Sequence, residues 1–408
     1  MNPDVRRIFV AQALRAFAYG FGAVLLGVSL EESGWSSGRV GVLLTGIVAG
    51  TALMSVAVGT LGDRIGRRRF YAGLFLGLGV TGAVFAVTDS FWVLLPVALA
   101  GALSTDVVES GPFTSLEQAM LPAGLDSRAR TRVFGRYNAI ATLAGSAGAL
   151  GAGGPALLRD AFGGFPADQR FFLLFVPAGV LGAIIATRLS GRVEVDKRQG
   201  LGLPLHRSRS NVVRLAGLFA IDSFAGGFVV QAFIAYWFRL KFGVSVEVLG
   251  LVFFTVGLLQ AGSFMVATRL AERIGLLNTM VFTHLPSNLL LAAIPLAPSF
   301  PVAMGLLFGR FALSQMDVPT RQAYIAALVD EDERTAAAAY TNTARYMTRP
   351  IGPALAGLAQ QVTVGLPFFI GGGVKAAYDV AVWAWFRRIP IDEETTAGTD
   401  VPVGRPRA

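Results

Sequence analysis

Runs of about 20 residues that are apolar on every side alternate along the whole chain with short polar joints. A run of that length crosses a bilayer as a helix, because each residue advances about 1.5 Å and the hydrocarbon core is about 30 Å thick. The joints delimit twelve such runs, at 8–30, 39–60, 70–88, 91–119, 133–157, 171–189, 212–237, 246–267, 277–297, 300–328, 335–361 and 366–386. Strands closing into a barrel would alternate every second residue, which these runs do not do. The expected fold class is therefore an all-α membrane protein with twelve transmembrane helices.

The longest polar connector, Ser190 to Asn211, stands between the sixth and seventh runs. It divides the chain into a six-helix bundle over 1–189, a linker over 190–211, a second bundle over 212–386 and a tail over 387–408. The halves repeat one another. At an offset of 209, Gly34, Ser36, Gly41 and Arg64-Ile65-Gly66 match Gly243, Ser245, Gly250 and Arg273-Ile274-Gly275. At 204, Gln118-Ala119, Arg130-Thr131, Asn138 and Gly148 match Gln322-Ala323, Arg334-Thr335, Asn342 and Gly352. Two pseudo-symmetric repeats of this size pack around a central cavity in one large class of secondary transporters.

Composition agrees, with 53% hydrophobic and 15% charged residues and a mean hydropathy of +0.58. The net charge of +9 raises nucleic acid as a partner, but most of the basic residues sit in short clusters in the joints, which positive-inside topology explains better than a phosphate-binding face. Of the 35 Lys and Arg residues, twenty-three fall on the side holding both termini, five on the other side and seven within runs. By the positive-inside rule both termini face the cytoplasm. Only three basic residues are Lys (Lys197, Lys241, Lys375), a codon bias that points to a GC-rich bacterial genome and so to a bacterial inner membrane. No cleavage site follows the first run, which is expected to remain as an anchor. The chain has no cysteine, and with only His206 and His284 a histidine-based metal or acid–base site is not expected. Gly77-Leu-Gly79-Val-Thr-Gly82 fits a dinucleotide fingerprint but lies inside a run with no preceding strand. No phosphate-binding loop motif occurs, so ATP is not expected to drive the protein directly, and without a catalytic constellation no enzymatic activity and no cofactor are expected.

The joint Gly59 to Arg69, GTLGDRIGRRR, is the most distinctive stretch. Gly59-x-x-x-Asp63-Arg64-x-Gly66-Arg67-Arg68 between runs two and three resembles the signature loop of the major facilitator superfamily. A degenerate copy, Arg269-Leu-Ala-Glu272-Arg273-Ile-Gly275, stands between runs eight and nine, where that family has one. Gly148 to Pro155 and Gly352-Pro353 resemble its Gly-Pro packing segments. Two features depart from its proton antiporters: no Arg stands early in run four, and no glycine pair follows Gly154-Pro155.

Gly59 and Gly66 permit tight turns, and Asp63 is placed to accept hydrogen bonds at a helix N-terminus. Arg67 is expected to pair with an acid at the end of run four, which the resemblance identifies as Glu117. Arg321, the repeat-mate of Glu117, is expected to pair with Glu272, giving a mirror-signed clamp that holds the outward-facing state.

Charges within runs are functional candidates by default, since each is costly in a bilayer. Arg15 sits seven residues, roughly 10 Å, into run one. Asp222 aligns with it at an offset of 207, so the two are expected to face one another across the cavity. Asp106 and Glu109 share a face of run four and are candidate proton carriers together with Asp222. Run ten carries Arg310, Asp317 and Arg321, the last two spaced to satisfy each other. Arg345 and Arg349 precede Pro350, which is expected to open run eleven locally. Lys375 and Asp379 are spaced as a self-satisfied pair. The sequence thus predicts a monomeric secondary transporter in a lipid bilayer, moving a small organic or drug-like solute by alternating access, with proton-coupled export favoured. The alternatives are uptake or facilitated diffusion of a metabolite or organic anion, or lipid flipping.

Overall fold

The computed structural model describes residues 2–104, 111–121, 127–162, 168–194, 208–329 and 333–389, and among these no strand occurs. The helices are α1 (Pro3–Glu32), α2 (Ser37–Ile65), α3 (Arg67–Val87), α4 (Phe91–Leu99), α5 (Pro112–Met120), α6 (Ser127–Gly151), α7 (Gly154–Phe162), α8 (Phe175–Thr187) and α9 (Arg209–Gly227). There follow α10 (Gln231–Phe242), α11 (Val246–Ile274), α12 (Leu276–Ala293), α13 (Phe300–Ser314), α14 (Asp317–Leu328), α15 (Arg334–Thr348), α16 (Ile351–Val362) and α17 (Leu366–Phe386).

Each expected run is present as one helix or as two successive helices. Runs four, five, seven, ten and eleven are split, into α4/α5, α6/α7, α9/α10, α13/α14 and α15/α16. In four of these the second piece has a proline in its first turn: Pro112, Pro155, Pro319 and Pro353. A proline there lacks an N–H that the first turn leaves unused anyway, but it cannot continue the hydrogen bonding of a preceding helix. Eight described stretches are long and apolar enough to cross a membrane. They correspond to runs one to three and five to nine. Run ten falls outside because Arg310, Asp317 and Arg321 lower its hydropathy, and run twelve because of Lys375 and Asp379.

The repeat is visible in the backbone. α2 and α11 each have 29 residues and end on Ile65 and Ile274, followed by Gly66 at φ 99° and Gly275 at φ 83°. Only glycine takes such a φ without strain, which is why both copies of the loop keep it.

Within the first bundle α1 packs on α6 and α3 on α8. Its core holds an edge-to-face cluster in which the Phe75 ring lies 5.0 Å from Tyr71 and 4.8 Å from Phe113. In the second bundle α9 packs on α15 and α12 on α17, around Phe219, Tyr324, Tyr378 and Phe386. Between bundles, α1 meets α10, α2 meets α16 and α6 meets α11. These approaches cluster at the end away from the start of α1 and the end of α17. A Cβ on Gly27 would come within 2.6 Å of Ala235, and one on Gly41 within 2.5 Å of the Pro353 carbonyl oxygen. At the same end Arg239 reaches Glu31 at 3.0 Å and Glu32 at 3.3 Å, tying α10 to α1.

Candidate functional site

Among the described residues, each bundle contains a buried knot of charge. In the first, Glu117 on α5 is fully buried, and both of its carboxylate oxygens are occupied. Oε1 accepts from the Tyr71 hydroxyl at 2.6 Å. Oε2 accepts from Arg15 Nη2 at 2.8 Å and from the Tyr137 hydroxyl at 2.5 Å. The Arg15 guanidinium also lies 5.4 Å from the Tyr19 ring and 5.3 Å from the Phe113 ring, within cation–π range. Four helices, α1, α3, α5 and α6, therefore converge on one carboxylate. A buried ion costs several kcal/mol unless it is paired and hydrogen-bonded, and here one cation and two phenols meet that condition.

The knot in the second bundle is larger. Asp222 on α9, 3% exposed, has Lys375 Nζ at 2.5 Å, Arg345 Nη1 at 3.5 Å and Arg321 Nη1 at 3.9 Å. Arg321 is held more tightly by Asp317, at 2.7 Å on the same helix. Asp379 on α17 accepts from Asn288 at 2.8 Å and lies 2.8 Å from His284 Nδ1. The other ring nitrogen of His284 lies 4.0 Å from Asp222. Five runs contribute: seven, nine, ten, eleven and twelve.

The two knots share a plan with the signs exchanged. Arg15 and Asp222 are repeat-mates, and so are Glu117 and Arg321. The cation on run one meets the acid ending run four, while the acid on run seven meets the cation ending run ten.

The sequence profile of the Major Facilitator Superfamily matches residues 8–308 and 215–405, and thus nearly the whole chain. The chain belongs to the major facilitator superfamily. A membrane protein of Saccharomyces cerevisiae, uncharacterized YJR124C, is 24% identical over 420 residues, covering 94% of each chain. Among solved structures, the nucleoside transporter NupG superimposes with a TM-score of 0.71 at 12% identity, covering 94% of this chain and 99% of its own. A bacterial homolog of the human lysosomal transporter Spinster, inward-facing and unoccupied, gives 0.67 at 14% identity, over 94% and 96%. At such identities these likenesses establish the fold alone. This is a non-enzymatic, multi-pass membrane family whose members bind small molecules.

Several expected partners are replaced in this major facilitator protein. Arg15 does not face Asp222 across the bundles; each is held within its own bundle, by Glu117 and by Lys375 respectively. The Glu117 carboxylate is engaged by Arg15, Tyr71 and Tyr137, and not by Arg67, whose Nη1 donates to the Ala119 carbonyl at 3.0 Å. Arg67 and Tyr71 are one turn apart on α3, and the residue deeper in the bundle reaches the acid. Arg321 is buried against Asp317, whereas Glu272 is exposed at the end of α11. Lys375 and Asp379 do not satisfy each other, because Asp222 and His284 from neighbouring helices lie closer. Asp317–Arg321 forms as expected, and run eleven is interrupted at Arg349 and Pro350. Arg310 is buried with its guanidinium 4.5 Å from the Phe311 ring, and Arg349 is half-buried.

Around the signature loop, the acid that caps α3 is Glu194. It accepts from the backbone N–H of Arg67 at 2.7 Å and of Arg68 at 3.2 Å, and from Arg68 Nε at 3.3 Å. Gly59 and Arg64 are exposed. Asp106, Glu109 and the Asp63 side chain lie outside the described residues. The residues that sequence reasoning missed are Tyr71, Tyr137, Asn288, Glu194 and above all His284. A polar residue deep in run nine, beside Asn288 one turn on, was the available signal for the last.

Proposed function

We propose that this major facilitator protein is a monomeric secondary transporter of a bacterial inner membrane, moving a small organic or drug-like solute by alternating access, with proton-coupled export as its mode. The observation that carries this reading is the closure of the bundle interface at the end away from the start of α1 and the end of α17, by glycine-mediated packing and by Arg239 with Glu31 and Glu32. With both termini cytoplasmic, as the distribution of basic residues favours, that end is extracytoplasmic and the conformation is inward-facing. Supporting it, the buried ion pairs tie helices together within each bundle. Two bundles so tied move as rigid halves about a central site. The signature loop acts on the same cycle, since Gly66 sets the start of α3 and hence where Tyr71 meets Glu117.

The test is flux through the purified chain in proteoliposomes, across a panel of small organic anions, cations and neutral solutes, with and without an imposed pH gradient. Accumulation of at least one solute that rises severalfold with the gradient is expected. Flux that ignores the gradient would remove proton coupling, and flux of lipid analogues alone would favour a flippase.

A further inference from the structure

His284 occupies an unusual place in the second knot. Its Nδ1 lies 2.8 Å from Asp379 on α17, and its Nε2 lies 4.0 Å from Asp222 on α9. Each ring nitrogen thus faces a carboxylate from a different helix. A neutral imidazole has one N–H and can donate to one of them; the imidazolium can donate to both. Asn288 Nδ2 lies 3.2 Å from Nδ1 and donates to Asp379 Oδ2 at 2.8 Å, so Asp379 is fixed in place whichever form the ring takes.

Asp222 is the contested member. The cations Lys375, Arg345 and Arg321 approach it from α17, α15 and α14. The other groups around α12 are Asp317, engaged by Arg321, the Tyr378 ring, which meets the imidazole edge-on at 6.1 Å, and Arg310 on α13. On α11 the charged residues stand at its two ends, Glu247 at one and Arg269, Glu272 and Arg273 at the other. With His284 neutral, the knot's acids Asp222, Asp317 and Asp379 balance Lys375, Arg321 and Arg345. One further proton unbalances it.

We propose that His284 is the proton-binding switch of this protein: on taking up a proton it donates to Asp222 as well as Asp379, and the contacts of Asp222 with Lys375, Arg345 and Arg321 loosen. Those contacts hold α9 to α14, α15 and α17, so a proton at His284 changes how rigidly the second bundle is tied. This moves the carrier from the acids of runs four and seven to runs nine and twelve. It rests on the transporter reading for its consequence, and on the geometry alone for the proton site.

The test uses two features of the chain, its two histidines and its lack of cysteine. Full-length protein labelled with 15N-histidine in lipid nanodiscs is titrated by NMR from about pH 5 to pH 9, with His206→Gln assigning the signals. The His284 resonances are expected to pass from the neutral to the doubly protonated pattern within this range. Asp379→Asn should move that transition toward acid by about one pH unit, roughly a tenfold loss of proton affinity, and leave His206 unmoved. Spin labels on Leu61→Cys and Ile274→Cys, both exposed at the ends of α2 and α11, then report the separation of the bundles. Their distance distribution is expected to differ between pH 5.5 and pH 8.5, and to lose that difference in His284→Gln. A His284 that keeps one protonation state throughout overturns the proposal, and that measurement needs no variant of His284. So does a titration that leaves the pH response of His284→Gln unchanged. Solute flux with a silent His284 would sink the switch and spare the transporter; a pH-responsive switch with no flux would do the reverse.

Discussion

The first bundle closes its buried charge and the second leaves its own open. Around Glu117 there is one acid, one guanidinium and two phenols, and every carboxylate oxygen has its donors. Two of its donors are phenols, which ordinarily titrate near pH 10. Around Asp222 there are three acids, three basic side chains and an imidazole, and one carboxylate is shared among four positive or potentially positive groups. The repeat places the same backbone around both and supplies a sign-exchanged version of the same first pair. What differs is how each is completed: hydroxyl donors in one bundle, competing charges in the other. Pseudo-symmetry of the fold therefore carries no promise of symmetric chemistry. The first knot is built to hold, and the second to be redistributed.

The sharpest way to break this contrast is Arg15→Ala. It leaves Glu117 without its ion-pair partner, no other cation among the described residues being at contact distance, and loss of one member of a buried pair costs about 3–5 kcal/mol. Thermal unfolding of the purified protein should show the largest drop here. Arg15→Leu combined with Glu117→Leu should recover most of it, since the buried charge is then gone. A single mutant within about 1 kcal/mol of the parent would mean that the first knot is not closed.

Much of the fold was legible because it depends on spacing along the chain. Run lengths, the positive-φ glycines after Ile65 and Ile274, and the interruption before Pro350 are all local consequences of residue type. The Asp317–Arg321 pair was legible for the same reason, being one helical turn apart. Lys375 and Asp379 have the same spacing and did not pair. Helix periodicity says which residues share a face but not what the neighbouring helix presents to it, and α9 and α12 present Asp222 and His284. Arg67 and Tyr71 make the same point: the pattern selected the correct face of α3 and the wrong turn. A lone histidine in an apolar run also gives no sign of two carboxylates brought from runs seven and twelve.

A milder probe of the closed knot is Tyr71→Phe, which removes one hydroxyl and keeps the ring against Phe75 and Phe113. Glu117 Oε1 then loses its donor. Hydrogen bonds to charged groups contribute about 1.5–3 kcal/mol, so the loss should fall in that range, below that of Arg15→Ala. Equilibrium unfolding in detergent measures it, and Tyr137→Phe should behave alike, because its hydroxyl serves the other oxygen. Near-zero effects in both would assign the holding of Glu117 to Arg15 alone.

The smallest effect is expected from Arg345→Met, which removes a cation 3.5 Å from Asp222 while leaving Lys375 at 2.5 Å and Arg321 at 3.9 Å. An acid shared among several cations survives the loss of one, so unfolding stability should change by about 1 kcal/mol or less, the size of a single ordinary hydrogen bond. The comparison with Arg15→Ala is what matters, since both substitutions delete one guanidinium beside one buried acid. If the two cost the same, the second knot is as closed as the first, and its many charges are a structural redundancy. If Arg345→Met is nearly silent in stability yet alters solute flux, the spare cations are there to be exchanged during the transport cycle, which an acid with a single partner does not permit.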